Sequence, residues 1–141
     1  MVFTAFDPDE GRGGELARID ANGNDFWDRS PGGRWIAVGQ SERTAARIRL
    51  LPLAGQGPRE ISAEGWTLLT SVASAADGRS LFVTGFESQG SSLLRVSLDG
   101  EARLLYRGPK YVENPVASPD GCYLAFLDMT VESNAWVIEN S

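Results

Sequence analysis

The chain has 141 residues, of which 42% are hydrophobic and 23% charged, and its formal net charge is −6. This is ordinary for one soluble domain with a modest core, and the acidic balance with singly scattered arginines argues against a nucleic-acid-binding surface. No apolar run approaches the ~20 residues of a membrane-spanning helix and the first ten residues lack the features of a secretion signal, so we expect a soluble protein without membrane insertion, in an unassigned compartment.

Two residue counts restrict the possible chemistry. Histidine is absent and cysteine occurs once, as Cys122. Without histidine the chain cannot build a Ser-His-Asp triad, a Cys-His dyad or an imidazole metal site, and one thiol can form neither an intrachain disulfide nor a thiolate metal site. Cys122 stands in an apolar strand pattern, where we expect a small buried side chain. We therefore predict a non-enzymatic chain with no catalytic residue, no cofactor and no metal site.

The first predicted elements are two strands at 2–6 and 14–19, interpreted as the second and third strands of a repeating unit. Between them, residues 7–11 read Asp-Pro-Asp-Glu-Gly and suggest a calcium loop. In an EF-type loop the sixth and twelfth positions would be Gly and Glu, but Arg12 and Arg18 stand there. We therefore interpret 7–11 as a solvated turn joining two strands.

Three related turns follow along the chain, each before a short strand that is apolar on both faces. They are RSPGGRWIAV at 29–38, SAADGRSLFV at 74–83 and ASPDGCYLAF at 117–126. Their glycines, Gly33, Gly78 and Gly121, recur at spacings of 45 and 43 residues. Pro presets φ in such a turn, Asp caps it and Gly takes the positive φ of a hairpin. Strands apolar on both faces are expected between two layers.

A second landmark repeats with nearly the same period. The segment RIRLLPLAG ends at Gly55 and SLLRVSLDG ends at Gly100, again 45 residues apart. GELARIDANG, ending at Gly23, and SNAWVIEN at 133–140 resemble further copies of this third strand. A fourth strand follows at 59–62 and at 102–106, and no capped helical pattern occurs. The unit is therefore a four-stranded antiparallel meander of about 44 residues, as in propeller repeats.

The repeat resembles the TolB-type, WD-repeat-like β-propeller repeat, whose signature is an SPDG turn followed by an apolar strand. Residues 118–121 and 30–33 carry that signature. Over nearly the whole chain, including TAFDPDEGRGGELARID and SNAWVIEN, the sequence is similar to the C-terminal propeller regions of bacterial serine/threonine kinases and related regulators. The resemblance implies a ligand- or protein-sensing segment of a signalling protein. The Gly-His and Trp-Asp landmarks of true WD repeats are absent, so the partners of that family are not carried over.

The repeats predict an all-β chain forming a partial β-propeller over 1–141. Its units are a partial blade at 1–24, blades at 25–62 and 66–107, and a partial blade at 111–141 with strands at 111–117, 122–128 and 134–140. A little over three blades falls short of the four to eight of a closed propeller, and it would leave open sheet edges. We expect closure by self-association as a homodimer, or by missing blades of a longer chain.

Topology predicts where such a protein would bind a partner. In an up-and-down meander, the turns between first and second strands and between third and fourth strands share one side. The longer loops gather on the other side, and exposed loops on a rigid scaffold commonly carry recognition. We predict that five residues contribute to a binding surface for a protein or a small-molecule ligand. They are Trp66, Arg107, Lys110, Tyr111 and Glu113.

Two other functions remain open. The chain could be an accessory, gating propeller domain of a hydrolase such as a serine peptidase. It could also be a propeller glycosidase acting through a pair of carboxylates. The candidate carboxylates are Asp20, Asp25, Asp28, Glu64, Asp77, Glu87, Glu113, Asp120 and Asp128; of these, Asp77 and Asp120 are assigned to turns. We expect the four tryptophans, Trp27, Trp35, Trp66 and Trp136, mainly to fill the space between blades.

Overall fold

The computed structural model describes residues 1–21, 25–41, 46–55, 57–62, 66, 68–88 and 90–133. Within these ranges the chain is all-β, as predicted, and it contains no helix that could cross a membrane. The strands are β1 (Val2–Asp7), β2 (Gly11–Arg18), β3 (Phe26–Arg29), β4 (Trp35–Ser41), β5 (Ala46–Pro52), β6 (Arg59–Ser62), β7 (Leu68–Ser74), β8 (Ser80–Glu87), β9 (Gly90–Ser97), β10 (Ala102–Gly108), β11 (Tyr111–Ala117) and β12 (Leu124–Met129). The strand predicted at 134–140 lies outside the described residues.

The strands form four antiparallel sheets in chain order. Two are complete four-stranded meanders, β3-β4-β5-β6 and β7-β8-β9-β10, and two are hairpins, β1-β2 and β11-β12. The four-stranded antiparallel meander predicted from the repeats is therefore confirmed. Strand β7 contacts β3 and β4 on one side and β11 on the other, so consecutive sheets pack against each other by their faces.

The repeated turns have the conformation that their sequence predicts. Gly33 and Gly78 both have a φ of 64°, and Gly121 has a φ of 72°. The Gly121 amide donates to the Ser118 carbonyl oxygen at 2.9 Å, and the other two copies make the equivalent bond. Because L-residues rarely adopt this backbone conformation, glycine is the favoured residue at all three positions.

The third turn has a charged cap. The Asp120 carboxylate accepts hydrogen bonds from the Ser118 hydroxyl and from the Cys122 amide. These bonds lower the pKa of Asp120, the Ser118 hydroxyl having the larger effect. Since the folded-state pKa lies below the unfolded value, this stabilisation is complete above the unfolded pKa and is lost as the pH falls through the folded-state pKa.

We predict that Ser118→Ala moves the Asp120 pKa upward, toward the ordinary aspartate value. It should remain somewhat low, because the Cys122 amide still donates to the carboxylate. A carboxyl-carbon NMR titration of both proteins measures the shift. Equal midpoints in the two proteins would contradict the assigned cause.

One expectation about this turn is wrong. Cys122 is exposed, not buried, because β12 begins only at Leu124. It occupies the position directly after the turn glycine, where the other two copies have Arg34 and Arg79. Comparison of the copies would have shown that this position faces solvent. The thiol therefore belongs to the turn and not to the strand.

Apolar side chains fill the space between the two complete sheets. Strands β4 and β8 are apolar on both faces, and Ala37, Leu81 and Val83 are fully buried. The cluster comprises Ala37, Ala46, Ile48, Leu50, Ile61, Trp66, Leu69, Val72, Leu81, Val83 and Val96. We call it the inter-sheet core. Fully burying such a side chain stabilises the fold by roughly 1.5–3 kcal/mol relative to exposure.

The opposite face of the β3–β6 sheet packs against the first hairpin. Phe3, Ile19, Ile36, Val38 and Leu51 form this second cluster. The ring of Trp27 meets that of Phe3 edge-on, with centroids 5.2 Å apart, although Trp27 remains 54% exposed. Trp35 and Trp66 pack in the inter-sheet core, so these three tryptophans lie between sheets; Trp136 lies outside the described residues.

The contact between the β7–β10 sheet and the last hairpin is more polar. The Ser91 hydroxyl accepts from the Val112 amide at 3.1 Å, and the Ser71 hydroxyl accepts from the Asn114 amide at 3.0 Å. Val112 is fully buried at the centre of this contact. Hydroxyls therefore satisfy backbone groups of β11 that would otherwise be buried without partners.

Candidate functional site

Three segments converge at one end of the β7–β10 sheet, on the side where longer loops were predicted to gather. The ring of Phe86, at the end of β8, meets Tyr111 edge-on with centroids 5.5 Å apart. A Cβ atom added to Gly90, at the start of β9, would lie 2.8 Å from the Gly108 carbonyl oxygen. The segments that follow β8, β10 and β12 surround a cleft of about 440 Å³ there. We call it the rim cleft; it is lined by Phe86, Gly90, Pro109, Lys110, Tyr111, Val131 and Ser133.

Arg107 links β8, β9 and β10 near the same end of the sheet, but it does not line the rim cleft. Its Nη2 donates to Glu87 Oε2 at 2.8 Å, and its Nε donates to Ser92 Oγ at 3.4 Å. The Arg107 side chain is 41% exposed and that of Glu87 is 21% exposed. An ion pair this accessible contributes little to stability, on the order of 0–1 kcal/mol, so its main effect is to orient the end of β8 against β10.

Lys110 and Tyr111 provide the exposed polar and aromatic groups of the rim cleft. Lys110 is exposed, and its Nζ donates to the Val131 carbonyl oxygen at 3.0 Å, which fixes the ammonium over the cleft edge. Tyr111 is 39% exposed while its ring remains supported by Phe86. An ammonium has three N–H donors, and the described contacts use one of them. The cleft thus offers an apolar floor with a positive charge at its edge.

The other two residues of the predicted surface lie elsewhere. Trp66 is only 7% exposed and belongs to the inter-sheet core, with its ring against Gly85. Glu113 is half-buried and lines a separate cleft of about 390 Å³ between β7 and β11. The structure therefore places Lys110 and Tyr111 in the rim cleft, leaves Arg107 outside its lining, and leaves Trp66 and Glu113 elsewhere.

Sequence reasoning missed Phe86 and Val131, which form the apolar part of the rim cleft. Phe86 does carry a signal, because it is an aromatic residue at the end of a strand, directly before a loop on the side where recognition was expected. Val131 carries none, since it follows the last described strand; its carbonyl oxygen accepts from Lys110 Nζ.

Most of the candidate carboxylates that the structure describes are held by turns or by neighbouring strands. Asp77 accepts from the Arg79 amide at 2.9 Å, as its turn assignment predicts, and also pairs with Arg95. Asp28 accepts from the Ser74 amide at 2.6 Å across the two complete sheets. Asp128 accepts from the Tyr106 hydroxyl, and this bond raises the pKa of Tyr106. Glu64 lies outside the described residues.

The turn at 7–11 is formed by its own carboxylate. Asp7 Oδ1 accepts from the Asp9 amide at 2.8 Å and from the Glu10 amide at 2.9 Å. These bonds lower the pKa of Asp7, the Glu10 amide having the larger effect. The segment joins β1 to β2 as an Asx-type turn, as predicted. In the part of the chain that the structure describes, no three side chains of His, Cys, Asp or Glu type come together in a metal-binding cluster.

A larger cleft of about 590 Å³ opens between the two complete sheets at their outer strands. Its apolar lining, which includes Ile48, Ile61 and Trp66, continues the inter-sheet core. Arg59 bridges its mouth by donating to the Leu98 carbonyl oxygen at 2.8 Å. We assign no site to this cleft.

No protein-family model matches the chain, and no curated protein sequence matches it.

Proposed function

We propose that the chain is a non-enzymatic β-propeller scaffold that binds a protein or small-molecule partner through the rim cleft. The observation that carries this proposal is the convergence of Phe86, Lys110 and Tyr111 on one cleft at the loop side of the sheets. Exposed aromatic side chains supported from below are favourable contact groups, because they bury large apolar area with little loss of rotamer freedom.

The chemistry of the cleft defines the class of ligand. Its floor is apolar and its edge carries the Lys110 ammonium, which suits a carboxylate adjacent to an aromatic or aliphatic group. A charge-assisted hydrogen bond to Lys110 would orient the carboxylate, and the apolar group would pack on Tyr111 and Phe86. An acidic, aromatic peptide segment of a partner protein has both features.

The role that the sequence resemblance implies is a sensing or interaction segment of a bacterial signalling protein. In that role the sheets act as a rigid support and the loops carry recognition. The neighbouring coding sequence provides a direct test. A kinase or winged-helix domain encoded upstream would support the sensing role, whereas a G-x-S-x-G hydrolase encoded downstream would favour the gating role instead.

We predict that N-acetyl-Phe-Asp-Phe-amide binds the rim cleft more tightly than N-acetyl-Phe-Lys-Phe-amide. Lys110→Ala and Tyr111→Ala should each raise the Kd for the acidic peptide about tenfold, roughly 1.4 kcal/mol. NMR titration of the ¹⁵N-labelled chain measures the Kd and locates the shifted amides, which are expected at 108–111.

Arg79→Ala is the matched control, because Arg79 is an exposed cation in the β7–β8 turn, outside the rim cleft. It should leave the Kd unchanged. Equal binding of both peptides, or shifts confined to residues away from 86–90 and 107–111, would contradict the proposed site.

A further inference from the structure

Apart from Gly90, which follows the β8–β9 loop with a φ of 129°, the hairpin glycines of positive φ fall into two conformational families. Gly33, Gly78 and Gly121 have φ values of 64°, 64° and 72°, whereas Gly11, Gly55 and Gly100 have values of 89°, 91° and 95°. In both complete sheets, the first family closes the hairpin between first and second strands, and the second family closes the hairpin between third and fourth strands. The hairpin β11–β12, with Gly121, therefore represents the first and second strands of a unit. The hairpin β1–β2, with Gly11, represents the third and fourth strands.

Chain order leads to the same assignment. Strand β2 directly precedes β3, a first strand, just as the fourth strands β6 and β10 precede β7 and β11. The assignment of the N-terminal strands as second and third, made from the sequence, is thus replaced by third and fourth. The described residues thus form two complete sheets flanked by two half-sheets.

The two half-sheets have complementary edges. In both complete sheets the second strand pairs with the third, as β4–β5 and β8–β9. Within the described residues, β12 is a second strand without a third beside it, and β1 is a third strand without a second. We propose that two copies of the chain pair through these edges, β12 of one beside β1 of the other, so that each junction completes a four-stranded sheet. This inference rests on the propeller scaffold proposed above.

The complete sheets define the register of the proposed junction. Ile36 of β4 pairs with Leu51 of β5. Leu124 is equivalent to Ile36, because each is the third residue after its turn glycine. Phe6 is equivalent to Leu51, because each is the next-to-last residue of its strand. Leu124 of one copy would therefore lie opposite Phe6 of the other. Ala125 would then lie opposite Ala5, and Leu127 opposite Phe3.

The exposure of Phe6 agrees with this register. Phe6 is 73% exposed, whereas its counterparts in the complete sheets, Leu51 and Val96, are 2% and 5% exposed. Those two pack against the sheet that precedes their own. Phe6 lacks such a neighbour within the described chain, and an aromatic side chain this exposed marks an interaction surface when apolar groups complement it.

A cleft of about 570 Å³ lies where the Phe6 side chain of the second copy would enter. Its walls include Phe82, Arg95 and Leu105 of the β7–β10 sheet and Leu124 of β12. Between the two complete sheets, the equivalent space lies against the face of β4. It is filled by side chains of β9, the third strand of the next sheet, including Val96. The cleft is therefore the position that a third strand added beside β12 would fill.

The strand count explains why a second copy is the occupant we choose. Twelve described strands make three sheets of four, which is below the four to eight blades of known propellers. Two copies make six sheets and close both junctions with one two-fold axis. Closure also pairs the edges of β1 and β12 that have no neighbouring strand within the described residues, and unpaired edges favour aggregation.

Light scattering and disulfide trapping of the full chain test the proposal. The chain should have twice its monomer mass of 15.2 kDa. In a Cys122→Ser background, Ala5→Cys with Ala125→Cys should oxidise to an interchain disulfide, because directly opposed strand residues have Cα separations within disulfide range. Thr4→Cys with Ala125→Cys is the matched control; these side chains would lie on opposite faces of the completed sheet, and no comparable link should form.

Phe6→Asp should raise the dimer dissociation constant at least tenfold, while Leu104→Asp, at a 46% exposed position outside the junction, should leave it unchanged. A monomeric mass would overturn the proposal. An intrachain disulfide, or equal linking of the control pair, would overturn it too. If residues 134–140 occupied the β12 edge, no interchain disulfide would form, and that result would likewise overturn the proposal. Peptide binding by Phe6→Asp separates the two proposals, because the rim cleft lies outside the junction and functions without it.

Discussion

Replacing Leu81 by alanine is expected to lower the free energy of unfolding by about 2–5 kcal/mol. Leu81 is fully buried in β8, and its side chain faces the β3–β6 sheet in the inter-sheet core. The substitution removes three carbons and leaves a cavity between two sheets, whose backbone ladders limit how far they can close around it. Urea unfolding followed by tryptophan fluorescence measures the loss, because Trp35 and Trp66 both pack at this core.

Leu104→Ala provides the matched comparison, since it makes the same chemical change at a position that is 46% exposed. Its expected cost is below about 1 kcal/mol, because much less apolar surface returns to water. If the two variants lost similar stability, the inter-sheet core would not be the main contact between the complete sheets. A changed unfolding slope in Leu81→Ala would instead indicate loss of two-state behaviour.

Replacing Gly85 by alanine is expected to destabilise the fold by about 1–3 kcal/mol through overpacking. An added Cβ would lie 2.5 Å from the Leu68 carbonyl oxygen and 2.7 Å from a ring carbon of Trp66. Both distances are too short for carbon contacts, and one of the clashing groups is backbone. Gly85 is therefore required for close approach and not for a special φ, and its substitution should displace Trp66 from the inter-sheet core.

Gly14→Ala is the control for this prediction, because a Cβ there would meet no atom within 4 Å. It should be neutral within about 0.5 kcal/mol, as is usual for surface substitutions away from special features. Tryptophan emission adds a second measurement. Gly85→Ala should shift emission to longer wavelength as Trp66 gains solvent, and an unchanged spectrum with unchanged stability would show that β7 moves aside without cost.

Part of the candidate site could be predicted from the sequence. Arg107, Lys110 and Tyr111 were expected on the loop side because the meander order alone decides which turns share a side. The apolar floor could not be predicted in the same way. Phe86 reaches Tyr111 only because β11 packs against β7 and β8, and Trp66 leaves the surface only because Gly85 opens space for its ring.

The sequence by itself determined the repeating unit, its turns and most of its strands. Turn chemistry is local: Ser-Pro-Asp-Gly specifies a positive φ at its glycine whatever surrounds it, and the two-sided apolar pattern of β4 and β8 requires two covering layers. The same local reading was wrong for Cys122, where an apolar residue stands at a solvent-exposed turn position.

Only the tertiary structure decided which strands of the unit the chain carries at its N-terminal end. Register shifts at Phe3 and Thr4, together with one extra residue before Gly11, make the repeat difficult to recognise in the amino-acid sequence. The backbone angle of Gly11 and the face on which Phe3 packs support our assignment of β1 as a third strand. Pairing between strands is a long-range property, because a β-strand acquires its place in a sheet from its neighbours and not from its own residues.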